Sequence, residues 1–199
     1  MGSGSQQREF VINGDVASRA EFFRRAMNGC WVEAEDRVIH MPEDDPEKMH
    51  LYLHFLYTNE LSARVVDTTR DGFKTQMRQY YLQLMQVYVL AEKLQDTRTK
   101  NALVHKVFDA VYLHEEDERW YLPSSAAVAY LYENTLEGNS MRKLVAAFYT
   151  MLAPNTLSVH RDVLPKEFLC DLISALRLAK KERTITALKN AVEQYMEHI

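Results

Sequence analysis

Two consecutive segments of helical periodicity, separated by a short break, constrain the fold of this chain more than any other feature. In residues 80–94, apolar side chains recur at the spacing of a buried helix face, at Tyr81, Leu84, Tyr88, Ala91 and Leu94. Asp96 is a typical helix N-cap, and the second segment has an inner face of Ala102, Leu103, Val107, Ala110 and Val111. Two long helices joined by so short a connection form an αα-hairpin.

Local start signals predict further helices on both sides of this hairpin. Asp45 followed by Pro46 combines an N-cap acceptor with a residue that needs no hydrogen bond to its nitrogen. The helix that follows is apolar nearly all round, so we expect it to be central. Later helices are predicted to be capped by Ser124 and Ser140, and another to open at Leu164-Pro165. The last of these three should carry Phe168, Leu169, Leu172, Ile173 and Leu176.

The remaining segments are predicted to be a short helix, two strands, a loop and a terminal helix. Residues 9–12 and 37–41 are short and rich in β-branched side chains, which is typical of strands. Between them, Ser18 and Glu21 have the spacing of a capping box. Residues 61–79 are polar and have no firm period, so they are predicted to be a flexible insertion. A final helix is predicted over 183–199.

Composition and charge exclude several classes of protein. Of the 199 residues, 47% are hydrophobic, and the formal net charge of −4 offers no basic surface for nucleic acid. No apolar run reaches the roughly 20 residues of a membrane span, and no secretory signal opens the chain. Residues 1–7 are interpreted as a linker or cloning scar. The two cysteines, Cys30 and Cys170, are expected to be buried thiols in an intracellular protein of the cytoplasm, the nucleus or both.

No motif in the sequence predicts catalysis, a cofactor or a bound metal. The nucleophile elbow, the phosphate-binding loop, the dinucleotide fingerprint and the CxxC pair are all absent from the sequence. His50 and His54 share one helix face, but a zinc site needs further ligands and no HExxH pattern supplies them. We therefore expect a protein that is not an enzyme and that holds neither cofactor nor metal.

The order of elements and four short motifs resemble the BTB/POZ family. SRAEFFRRAM (18–27) is similar to its second helix, and RVIHMPEDDP (37–46) to its third strand and the start of its central helix. LHFLYT (53–58) resembles the end of that helix, and YVLAEKL (88–94) resembles the helix after it. The resemblance covers about residues 10–110 and is of the fungal type, with a helical C-terminal region.

The resemblance implies an α+β fold that is mostly α. It places a BTB/POZ-like helical cluster with a small β-sheet at 8–112 and an all-helical extension at 113–199. The sheet is expected to be partly truncated, because no strand precedes 9–12 and the family's His-x-x-Leu is replaced by Asn13-Gly14-Asp15-Val16.

The resemblance also implies a non-catalytic protein–protein interaction module that acts in dimerisation or as a scaffold. Its partners would be proteins, including a second copy in a homodimer, and neither nucleic acid nor a membrane. The alternative is a substrate adaptor of a cullin-based ubiquitin ligase. Such adaptors often carry a hydrophobic-x-acidic contact near the start of the central helix. The matching stretch, Met49-His50-Leu51, lacks the acid, and Met49 and His50 are the candidate interface residues there.

The first helices supply the other candidate interface residues. Phe22 and Phe23 are neighbours, and neighbours on a helix point about 100° apart, so one packed face cannot bury both. One ring should pack on the central helix, while the other lies near Met27 in an apolar patch rimmed by Arg19, Arg24 and Arg25. This patch predicts self-association through the first helices. The open alternative is that the C-terminal helices cover the patch within one chain.

Overall fold

Helices account for the regular secondary structure in the described part of the chain. The computed structural model describes residues 1, 8–28, 37–61, 70–112, 121–151, 164–179 and 196. Within them lie eight helices: α1 (Gly14–Ala17), α2 (Glu21–Asn28), α3 (Pro46–Thr58), α4 (Arg70–Lys93), α5 (Thr97–Tyr112), α6 (Ser125–Glu133), α7 (Ser140–Tyr149) and α8 (Lys166–Ala179). None of them is both long and apolar enough to cross a membrane.

The predicted α+β fold is wrong, because the described residues contain no strand and no sheet. Residues 9–12 are irregular, with Val11 90% exposed and Ile12 packed against the helical core. Residues 37–41 are also irregular, and Arg37 has a positive φ of 53°. A strand is stable only with a hydrogen-bonded neighbour. Here Phe10, Ile12, Ile39 and Met41 pack individually against the helical core, whereas Val11 and Val38 are exposed.

The predicted helical hairpin is confirmed, and its first helix is longer than expected. α4 begins at Arg70, so the interpretation of 70–79 as part of a flexible insertion is wrong. Met77 lies in the core at 2% exposure, and the Phe73 ring contacts the Tyr121 ring with centroids 4.7 Å apart. At the break between α4 and α5, Gln95 has a φ of 56°, and Asp96 accepts a hydrogen bond from the Thr99 N–H at 3.0 Å.

The central helix is α4 rather than α3. α4 packs against α3, α5 and α6, and its fully buried side chains include Tyr81, Leu84, Met85, Val87, Tyr88 and Ala91. α3 buries Met49, Tyr52, Leu53 and Phe55, but turns His50 and Tyr57 to solvent. The contrast follows from length, since the 24 residues of α4 can serve three neighbours at once.

The helix caps follow the local chemistry of the sequence at most sites. Asp45 accepts from the Glu47 N–H, with Pro46 in the first turn, and Ser124 accepts from the Ala127 N–H. The capping box at Ser18 is wrong. Asn13 instead caps the short helix α1, and Ser18 ends it.

The C-terminal helices share one core with the rest of the described chain. α8 packs against α7 and α6, and α6 packs against α4. The Tyr81 hydroxyl donates to the Tyr121 carbonyl oxygen at 2.5 Å, which joins the two sides of the expected boundary at 112. Of the predicted helix over 183–199, only Met196 lies within the described residues, and it packs against the core.

Candidate protein interface

The two phenylalanines of α2 occupy different environments. Phe23 is in the core at 4% exposure. Phe22 is half-buried, packs against the core and meets the Phe23 ring edge-on with centroids 5.5 Å apart. Phe23 is therefore unavailable to a partner, and Phe22 offers only part of its ring.

The cations around α2 are engaged locally. Glu21 accepts from Arg24 Nε and Arg25 Nε, both at 2.7 Å, and these two guanidinium groups lower the pKa of its carboxyl group. Arg19 donates to the Leu56 carbonyl oxygen at 3.4 Å. Met27, 36% exposed, is the largest apolar side chain that α2 turns to solvent. Of the predicted patch, which comprised one phenylalanine and Met27, the structure exposes Met27 and part of Phe22, while the guanidinium groups expected at its rim are engaged within the chain.

The candidate residues of α3 are divided between core and surface. Met49 is 2% exposed and belongs to the core, whereas His50 is exposed. Of the predicted hydrophobic contact for a cullin, only the imidazole can meet a partner. His54 is half-buried, and no group of three potential metal ligands exists among the described residues.

The buried ionisable groups of the hairpin hold helices together. Asp96 is fully buried and accepts from the Tyr52 hydroxyl at 2.9 Å and the Thr99 hydroxyl at 2.6 Å. Lys100 is 5% exposed, and its Nζ lies 2.5 Å from a carboxylate oxygen of Glu92. These contacts join α3 to α5 and α4 to α5. The role of these buried groups is therefore to stabilise the packing of the helices.

A second buried network positions α8. Arg142 on α7, 5% exposed, donates from Nε to the Thr135 hydroxyl at 2.8 Å and from Nη2 to the Tyr132 carbonyl oxygen at 2.5 Å. The Tyr132 hydroxyl donates to Asp171 of α8 at 2.8 Å. Burial and this bond to the carboxylate raise the pKa of Tyr132. The Phe168 ring lies edge-on to the Tyr132 ring, so one face of α8 is fixed.

The opposite side of α8 carries exposed aliphatic side chains. Ile173 is 56% exposed and Leu176 43%, and Leu169 is half-buried one turn before them. We call these three residues the α8 stripe. Phe168 and Leu172, on the packed face of the same helix, are 0% and 4% exposed. The stripe therefore borders a packed face without belonging to the core.

The sequence prediction for this helix is wrong on the cysteine, because Cys170 was expected to be buried and is exposed. The prediction named Ile173 and Leu176 together with Phe168 and Leu172 and did not assign them to a buried or an exposed face. The sequence does indicate that some of these residues are exposed, because together they cover a wider arc than the single apolar stripe that an amphipathic helix buries. Cys30, the other expected buried thiol, lies outside the described residues.

Comparisons with known proteins found no relative of this chain. The chain matches no protein-family model, no curated protein and no solved structure.

Proposed function

We propose that this chain is a non-catalytic protein-interaction module whose docking surface is the α8 stripe. The observation that carries the proposal is the 56% exposure of Ile173 on a helix whose other face is fully packed. Clustered exposed aliphatic side chains on a folded protein mark interaction sites, whereas scattered single ones do not. Leu176 and Leu169 extend the exposed surface along one side of the helix.

The use of the buried ionisable groups supports a non-catalytic role. Catalytic acids and bases face a site that substrate can enter. Asp96, Lys100 and Arg142 instead lie in the core, where their partners are side chains and carbonyls of neighbouring helices. Each of these groups is explained by the fold that it stabilises.

The α8 stripe is favoured over the surfaces that the sequence analysis selected. Phe23 and Met49 lie in the core and cannot contact a partner before the fold opens. The surface part of α2 offers Met27 and part of Phe22, with Arg24 and Arg25 bound to Glu21. The BTB/POZ resemblance does not help to choose a surface, because the two segments expected to be the strands of a BTB/POZ sheet are irregular.

A two-hybrid screen with the full chain as bait tests the proposal. Partners recovered with the unaltered chain are tested again with Ile173→Asp, which places a charge in the middle of the stripe. The matched control is Leu136→Asp, at a residue that is 84% exposed between α6 and α7. Circular dichroism of the purified variants verifies that both remain helical.

The expected result is a set of partners that Ile173→Asp loses and Leu136→Asp retains. Partners that bind all three chains equally would place the docking surface elsewhere and overturn the assignment to α8. A screen in which the folded chain recovers no partner that depends on Ile173 would count against the proposed function in the same way.

A further inference from the structure

Two cations stand at the ends of the α8 stripe. Lys166 precedes Leu169 by three residues, Arg177 directly follows Leu176, and both are exposed. No ion pair is formed by either of them with another described residue. Some other exposed cations do have such partners, as Lys93 does in Asp44 at 2.5 Å. The ends of the stripe therefore carry positive charge that the described chain does not neutralise.

The charge lies on the same side of the helix as the stripe. At 100° per residue, Lys166 and Arg177 point within about 40° of Ile173. Glu167 points about 120° away from Ile173, and Asp171 lies farther round, where it accepts the Tyr132 hydroxyl. The carboxylates of α8 are thus turned away from the stripe, and its border is basic.

This charge pattern disfavours a second copy as the occupant. An antiparallel pairing that sets Leu169 against the second copy's Leu176 brings Lys166 within about one helical turn of the second copy's Arg177. A parallel pairing places each cation next to the same cation of the second copy. Both arrangements bring like charges together, and like charges across an interface select against a partner.

We infer that the α8 stripe binds an acidic amphipathic helix of another protein, an inference that rests on the proposed function. The aliphatic side chains of that helix would cover Leu169, Ile173 and Leu176. Its carboxylates would flank them at the spacing of Lys166 and Arg177, which is 11 residues or about 16 Å along a helix. Helix-in-groove recognition of this kind reads apolar anchors at positions i, i+4 and i+7.

The test uses two fluorescein-labelled peptides and the full chain. Each peptide is a designed 18-residue helix with leucine at positions i, i+4 and i+7. One carries glutamate at i−3 and i+8, and the other carries lysine at the same positions. Fluorescence anisotropy measures the affinity of both peptides for the unaltered chain, for Ile173→Asp and for Lys166→Glu/Arg177→Glu.

The matched control is Lys74→Glu/Arg78→Glu, which makes the same change in net charge at two exposed residues of α4. We expect the unaltered chain and this control to prefer the glutamate peptide by about five-fold, since each exposed ion pair contributes modestly. The Lys166→Glu/Arg177→Glu chain should prefer the lysine peptide. Both preferences should shrink at 0.5 M salt, where surface charges are screened.

The other outcomes overturn the inference in distinguishable ways. If both peptides bind with equal affinity and Ile173→Asp abolishes this binding, the inference of an acidic partner is refuted and the proposed function is still supported. Binding of neither peptide, with a dimer in light scattering that Ile173→Asp dissociates, would make a second copy the occupant. Binding of neither peptide by a monomer would count against the acidic partner and against the proposed function.

Discussion

Replacing Asp96 with alanine should destabilise the fold strongly, because its carboxylate joins two helices of the core, α3 and α5. It is fully buried, caps α5 through the Thr99 N–H and accepts the Tyr52 hydroxyl from α3. Burial and the nearby carboxylate raise the pKa of Tyr52. The tyrosine therefore stays a neutral donor at pH 7 and depends on Asp96 as its acceptor.

The magnitude follows from the contacts that alanine removes. Loss of the N-cap interaction costs about 1 kcal/mol. The Tyr52 hydroxyl, at 0% exposure, would be left as a buried donor without an acceptor, which costs about 2 kcal/mol more. The sum is about 3 kcal/mol, a large share of the 5–15 kcal/mol typical of a domain. Asp96→Asn keeps a cap oxygen and should cost about 1 kcal/mol.

Urea unfolding at pH 7, followed by circular dichroism, measures these values. Tyr52→Phe and the double variant Tyr52→Phe/Asp96→Ala complete a cycle that isolates the coupling between the two side chains. The coupling should be at least about 0.5 kcal/mol. An Asp96→Ala loss below about 0.5 kcal/mol, or strictly additive single losses, would refute the reasoning.

Four further predictions follow from the contacts. Arg142→Met should cost about 2 to 4 kcal/mol in urea unfolding, because two carbonyls lose a buried cationic donor; a loss typical of surface sites would contradict this. Burial raises the pKa of Tyr149 to about 12, so this side chain alone should lower the unfolding free energy by about 2 to 3 kcal/mol between pH 10 and pH 12, in addition to the losses from Tyr52 and Tyr132, whose pKa values are also raised. Tyr149→Phe should flatten that fall, and an unchanged slope would count against it. Phe23→Ala should cost about 3 to 5 kcal/mol in the same assay, and a near-neutral change would place its ring outside the core. Cys170 should react rapidly with a thiol reagent in the folded chain, and Cys170→Ser should remove one equivalent of the fast reaction.

The helix starts that could be predicted from the sequence are those fixed by neighbouring residues. Asp45 and Asp96 cap their helices by accepting from backbone N–H groups two and three residues later, and such contacts depend on little else. The same local logic failed at Ser18, because Asn13 accepts from the Asp15 N–H first and starts α1 instead. Two competing local signals cannot be ranked without the packing around them.

The prediction of two strands was wrong because strand pairing is not a local property of the sequence. The β-branched residues of 9–12 and 37–41 favour extended backbone, yet a strand also needs a partner, and the described residues offer none. The start of α4 could have been found. Phe73, Met77, Tyr81 and Leu84 continue the helical spacing of the hairpin into the segment that was interpreted as an insertion.

The exposed side of α8 could not be predicted from the sequence for a reason of geometry. Sequence shows that α8 has too many apolar positions for one face, but not which of them the neighbouring helices reach. The rings of Tyr132 and Tyr149 lie against Phe168 and so decide which face is buried. Ile173 is left outside that contact.

Neighbouring positions on α8 provide the most direct test of the central claim, which is that the stripe serves a partner rather than the fold. Leu172 is 4% exposed and Ile173 is 56% exposed. We measure the free energy of unfolding in urea for Leu172→Ala and Ile173→Ala against the unaltered chain. Leu172→Ala should lose about 2 to 5 kcal/mol, and Ile173→Ala should stay within about 0.5 kcal/mol. An Ile173→Ala loss as large as that of Leu172→Ala would mean that the chain covers the stripe itself, and it would contradict the account.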